Sequence, residues 1–127
     1  FDETMAVEGD WSASSGQSAL LSFDEQARVP SAVFAQNDRM AMGVLRAARD
    51  INLKVPSQLA VIGVDDMPLS SYFDPPLTTM RQDMPRIGQE ATRMLLDIIK
   101  KKSTAMRDLK LPAELVIRWS TSEKGGD

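Results

Sequence analysis

Leu59-Ala60-Val61-Ile62-Gly63-Val64-Asp65-Asp66 is the stretch whose reading decides the fold. Its first six residues are apolar save for one glycine and do not alternate. That pattern suits a strand buried on both faces, as in a parallel sheet covered by helices. The run stops at two consecutive acids. In open α/β sheets, ligands collect at the carboxyl ends of the strands, so Asp65-Asp66 is a candidate ligand contact. The other reading has one acid capping a turn while its neighbour is solvated. The residues alone leave both open.

Upstream, Ala32-Val33-Phe34-Ala35 is a second continuous apolar run, preceded by Pro30 and followed by Gln36-Asn37-Asp38. A helix is expected from about Arg39 to Ile51, with Met40, Val44, Ala47 and Ile51 forming one core stripe. Met42, Leu45 and Ala48 lie off that stripe. They suit a second partner such as another subunit, although a helix sandwiched within one domain would look the same. Asn37 or Asp38 can cap the helix, which leaves the other free to meet a ligand. Strand, helix and strand together have the size of a βαβ unit, about 30 residues or more, and should be right-handed. A parallel sheet then sets Asn37-Asp38 and Asp65-Asp66 side by side.

Further upstream, Thr4 to Glu8 reads as a short strand that ends at Gly9-Asp10-Trp11. Asp10 or Ser12 can cap a helix running to about Phe23, with Ala19, Leu20 and Phe23 on its inner side. Trp11 therefore stands at a strand-to-helix turn, either as a lid on the core or as an aromatic platform for a ligand face. Downstream, Met67 to Thr79 is irregular, interrupted by Pro68, Pro75 and Pro76 and carrying adjacent Tyr72 and Phe73. Leu77 to Arg81 is a candidate short strand. Asp83 and Pro85 open a helix to about Lys101, with a stripe of Ile87, Ala91, Met94, Leu95 and Ile98 widened by Leu96 and Ile99. Leu115 to Trp119 should be an edge strand, and Ser120 to Asp127 a polar frayed tail.

Composition sets the bounds. The chain has 127 residues, 43% hydrophobic and 26% charged, which fits about one small globular domain. No run approaches the roughly 20 apolar residues of a membrane span. The chain opens on Phe1-Asp2-Glu3-Thr4, so it is expected to be a processed or excised piece. The lack of cysteine excludes disulfides and thiolate metal sites and fits a reducing compartment. The lack of histidine excludes a Ser-His-Asp arrangement and a His-ligated zinc. A net charge of -3 argues against gripping a polyanion unaided. Lys100-Lys101-Lys102 is read as a helix C-terminus favoured by the macrodipole rather than as a nucleic-acid patch.

The series Asn37-Asp38-Arg39-Met40-Ala41-Met42-Gly43, Val55-Pro56, Val61-Ile62-Gly63-Val64-Asp65-Asp66 and Asp74-Pro75-Pro76-Leu77-Thr78-Thr79 strongly resembles the lactose-repressor (LacI/GalR) family. Glu8-Gly9-Asp10-Trp11 and Gln82-Asp83 extend the resemblance to nearly the whole chain. It implies an α/β fold: a partial, parallel-sheet, periplasmic-binding-protein-like (type I) effector domain. Residues 1–80 and 113–121 would form the C-terminal lobe, and 81–112 a crossover helix belonging to the N-terminal lobe. The helix-turn-helix headpiece, most of the first lobe and the start of the second would be absent.

By the same resemblance, Trp11 matches the aromatic that stacks on the effector, Asn37 a hydrogen-bonding position, Asp65 the acid that binds hydroxyl or N–H groups, and Gln82 a further cleft position. Met84 departs from the aromatic of the lactose repressor, which leaves ligand identity open. Asp66 reads as structural. Met42 and Phe73 match positions packed between subunits, so a homodimer is implied. The resemblance further implies a cytoplasmic, non-enzymatic transcriptional regulator that senses a small, sugar-like effector without a cofactor or membrane. Operator DNA would be met only through the missing headpiece, by allosteric coupling between the lobes.

Two alternatives compete. A periplasmic sugar-binding protein of a transporter would share fold and cleft. An enzyme using Asp65 and Asp66 with magnesium would lack any accompanying glycine-rich phosphate loop. The Pro85 helix, finally, is expected to bury its wide apolar face against its own sheet, a second copy or the remainder of the protein.

Overall fold

The computed structural model describes residues 3–100 and 108–122. The chain divides into two compact units, one holding the described residues up to Arg81 and from Leu115, the other Gln82–Glu114.

The first unit is built on a sheet of order β1-β2-β3-β4, with β1 Ala32–Phe34, β2 Ala60–Val64, β3 Thr78–Arg81 and β4 Glu114–Val116, the last beginning at the unit boundary. β1 and β3 both run parallel to β2, with Val33 opposite Val61 and Val64 opposite Met80. Two helices accompany it, α1 Ala13–Glu25 and α2 Asp38–Asp50. Each starts where a polar side chain takes a free backbone N–H. Ser12 Oγ accepts from Ser15 N at 3.1 Å, and Asn37 Oδ1 accepts from Met40 N at 2.7 Å.

The core consists of Leu20 from α1, Ala41, Val44, Leu45, Ala47 and Ala48 from α2, and Ala35, Leu59, Val61 and Leu77 from the sheet side. Leu45 and Ala48 are thus core rather than partner surface, because α2 lies between α1 and the sheet; Met42 stays exposed. The α1–α2 approach is close enough that a Cβ on Gly43 would collide with the Ala13 carbonyl, and one on Gly16 with the Met40 carbonyl. Glycine in a helix interior is unfavourable by itself, so its place here is explained by that contact.

Four expectations are corrected. β2 is not buried on both faces: Val61 and Gly63 are buried, but Ala60, Ile62 and Val64 are only half-buried, and Phe34 beside Ile62 is 60% exposed. α2 packs against β2, and α1 packs on α2. Thr4 to Glu8 is no strand. Glu3–Met5 forms a 3-10 turn in which Ala6 N donates to Glu3 O, a local bond in place of a ladder. The edge strand stops at Val116, short of Trp119. Ser120 is buried rather than frayed, because β2 and β3 need a bridge at their amino ends. Its Oγ donates to Val61 O and accepts from Thr78 N, while its carbonyl accepts from Val61 N. Residues 123–127 of the expected tail lie outside the described residues.

The second unit is dominated by α3, Met84–Ile99, capped by Asp83 Oδ1 on Arg86 N with Pro85 in its first turn. No residue of α3 is buried, and Leu95, Leu96, Ile98 and Ile99 are exposed. Lys100 caps the helix end; Lys101 and Lys102 lie outside the described residues.

Candidate functional site

Three of the four candidate effector residues stand where loops leave the first unit's sheet or enter its helices. Trp11 lies between Asp10 and Ser12, and these two fix the turn around it. Asp10 Oδ1 accepts from Ser12 N at 3.0 Å and Ser12 Oγ at 2.5 Å, while Asp10 N donates to Ser15 Oγ. The Ser12 hydroxyl and amide, with Ser15, hold the Asp10 carboxyl below the ordinary carboxylate range. Trp11 itself has φ 69 and is 67% exposed. A bulky residue held in the left-handed region with its ring in water is not a core lid.

Asn37 is tied directly to this turn. Its Nδ2 donates to the Trp11 carbonyl at 3.2 Å, while its Oδ1 caps α2. Asn37 is itself buried, with 5% of its surface exposed. Asp38 contradicts the expectation that the residue not used as cap is free. It is fully buried, its Oδ1 accepting from Thr79 Oγ1 at 2.6 Å and its Oδ2 from Met67 N at 2.8 Å and Ser70 Oγ at 2.5 Å. Three donors from two other segments converge there, so the carboxylate is an internal acceptor.

The two acids after β2 divide in role. Asp65, at φ 113, donates its N–H to Met80 O and leaves its side chain exposed. Partial withdrawal from water, then the like charge of Asp38, push its carboxyl above the ordinary value. Asp66, at φ 53, turns the other way. Its Oδ2 accepts from Arg81 at 2.6 Å and its Oδ1 from Arg118 at 2.7 Å. Burial pushes Asp66 up, but the hydrogen bonds and charges of Arg118 and Arg81 outweigh it and the net direction is down. Both Asp66 oxygens are thus occupied by arginine, which leaves no paired carboxylates open to a magnesium ion. Among the described residues, no group of three or more acids, histidines or cysteines could hold a metal.

Gln82 stands at the start of the second unit, half-buried, its carbonyl accepting from Met84 N at 2.9 Å. A concavity of about 520 Å³ in that unit is bounded by α3 side chains such as Gln89, Thr92 and Leu96. It is the open flank of an uncovered helix. Tyr72 is exposed and Phe73 half-buried against the core. The peptide bonds before Pro56 and Pro75 are cis.

Sequence reasoning missed the Asp38 cluster. Its one local signal was Gly63, a glycine inside an apolar strand, where a Cβ would strike Asp38 Oδ1 and Leu77.

Comparison with known proteins bears on the fold and the family. The profile of the family described as periplasmic binding protein-like domain matches residues 2–121. The HTH-type transcriptional repressor PurR of Aliivibrio fischeri is 37% identical over 127 residues, covering 98% of this chain and 37% of that protein. The HTH-type transcriptional regulator MalR of Streptomyces coelicolor is 42% identical over 97 residues, covering 76% of this chain and 28% of that protein. The chain thus spans only 37% and 28% of the length of these two relatives. Among solved structures, the lac repressor dimer bound to operator and the anti-inducer ONPF superposes with TM-score 0.84 at 38% identity, over 90% of this chain and 40% of that one. The transcriptional regulator CelR in complex with cellobiose gives TM-score 0.87 at 35% identity, over 94% and 37%. With the profile spanning almost every residue and the regulators sharing both sequence and fold, the chain belongs to the periplasmic binding protein-like domain family, in its LacI/GalR branch.

Proposed function

We propose that this chain is the ligand-sensing and dimerisation part of a cytoplasmic LacI-type transcriptional regulator. It binds a small sugar-like molecule in a cleft between lobes and thereby alters operator affinity. The observation that carries this reading is the exposed Trp11, in a positive-φ turn whose backbone carbonyl accepts from Asn37 Nδ2, with Asp65 at the end of the strand beside β1. A ring face suits the apolar side of a sugar, and a carboxylate and an amide suit its hydroxyls. Gln82 is carried as a further candidate by the family resemblance alone. That the related regulator CelR was solved in complex with cellobiose supports a sugar-like ligand.

Dimerisation would use the exposed Met42 and the half-buried Phe73, and the bare face of α3 would be covered by the remainder of the protein or by a second copy. Residues 81–112 would then belong to the N-terminal lobe. The transport-protein reading shares the fold, but the relatives quoted are HTH-type regulators. No helix of the described residues is long and apolar enough to cross a membrane.

The test is operator binding by the gene product that contains this chain, measured by gel shift against a panel of sugars, sugar phosphates and nucleobases. One compound that changes operator affinity at least about tenfold, a coupling of about 1.4 kcal/mol, is the expected result. A protein that binds these compounds but no DNA would overturn the regulator reading.

A further inference from the structure

Asp38 is a fully buried carboxylate that the proposed ligand contacts do not use. It sits in the first turn of α2, yet its partners belong to the loop after β2 and to β3: Met67 N, Ser70 Oγ and Thr79 Oγ1. Thr79 Oγ1 in turn accepts from Asp66 N at 3.3 Å, so the network reaches the residue next to Asp65. Gly63 supplies the room, because a Cβ there would collide with Asp38 Oδ1. Asp65 and Asp66 both hold positive φ, a conformation non-glycine residues keep only when their surroundings enforce it. The bonds to Asp38 and Thr79, with the two arginines on Asp66, are such an enforcement.

We propose that Asp38 is a positioning residue of the effector site: its buried carboxylate pins the loop from Asp65 to Ser71 against β3 and so sets where Asp65 meets the ligand. This rests on the reading of Asp65 as a ligand contact. The pinning itself is a property of the ligand-free protein and is measured there.

The experiment is hydrogen exchange by mass spectrometry on the gene product, comparing a peptide over 65–71 with one over 41–50 in α2. In Asp38→Asn, an amide NH₂ faces the two donors Met67 N and Ser70 Oγ. The 65–71 peptide should exchange about tenfold faster, the loss of one charge-assisted hydrogen bond, with 41–50 unchanged. Thr79→Val should act in the same direction and Thr79→Ser should restore protection; this pair decides the matter should Asp38→Asn not fold. A second readout is the Asp65 carboxyl titration by carbon-13 NMR, assigned by its loss in Asp65→Asn. Asp65 faces Asp38 from α2, and its neighbour Asp66 is paired with Arg81 of β3 and Arg118. Removing the Asp38 charge should lower the Asp65 midpoint, as the loss of a like charge held close to it does. Unchanged exchange at 65–71, equal acceleration of both peptides, or an unmoved Asp65 midpoint overturns the assignment. A protein that binds no ligand while showing all three effects would instead sink the proposed function.

Discussion

α2 and α3 are both amphipathic, both capped by a side-chain oxygen, and opposite in burial. α2 buries Ala41, Gly43, Val44, Leu45, Ala47 and Ala48 along with Asp38, whereas α3 buries nothing. The apolar stripe states that a face needs a partner; it does not state which chain segment supplies it. α2 finds α1 and the sheet within this chain, while α3 keeps Leu95, Leu96, Ile98 and Ile99 in water.

Substitutions should separate the two regions sharply. Leu59→Ala, beneath α2, should cost about 2–5 kcal/mol by urea denaturation, as large-to-small changes in closed cores do. Leu95→Ala in α3 should stay within about 0.5 kcal/mol in the 127-residue chain, as exposed sites do. A cost above about 2 kcal/mol for Leu95→Ala in the gene product alone would show that segments beyond this chain cover α3.

The glycines sharpen the contrast. Gly43→Ala drives a methyl group into the Ala13 carbonyl and should destabilise by about 1–3 kcal/mol. Gly88→Ala meets nothing within 4 Å and should stabilise α3 by about 0.5–1 kcal/mol. Thermal denaturation of both variants checks the opposite signs.

The two acids after β2 repeat the comparison on a smaller scale. Asp66 is held below its ordinary value of 3.8, so its ion pairs stabilise the fold above that pH, and the contribution is lost as pH falls through the lowered value. Asp66→Asn should cost about 1–3 kcal/mol at pH 7, leaving Arg118 without its carboxylate, and the cost should shrink in acid. Asp65 has the opposite sign. Its raised carboxyl favours the fold below 3.8, and that advantage disappears as pH rises through its folded value. Asp65→Asn should therefore raise the ligand-free midpoint slightly at pH 7, by less than about 1 kcal/mol. Denaturation midpoints across pH 3–7 read both.

Much of this was legible locally. The unbroken run before Asp65, the polar residues before each helix and Pro85 in its first turn are short-range signals, and β2, α1, α2 and α3 stand where those signals put them. The match of Trp11, Asn37, Asp65 and Gln82 to effector positions came from the family resemblance, and it remains a proposal. What escaped was long-range. The Asp38 cluster joins residues as far as 41 positions apart, and Ser120 bridges to Val61 across 59. No window of sequence contains both partners. Thr4 to Glu8 misled because a short apolar run between polar residues suggests a strand even where no neighbour offers a ladder.

The central claim is a ligand site that includes Asp65, and the most direct measurement is thermal shift of the gene product with sugars, sugar phosphates and nucleobases, repeated with Asp65→Ala. The account predicts a sugar-like compound that raises the midpoint of the native protein and leaves the variant unmoved. An equal shift in both proteins would contradict it.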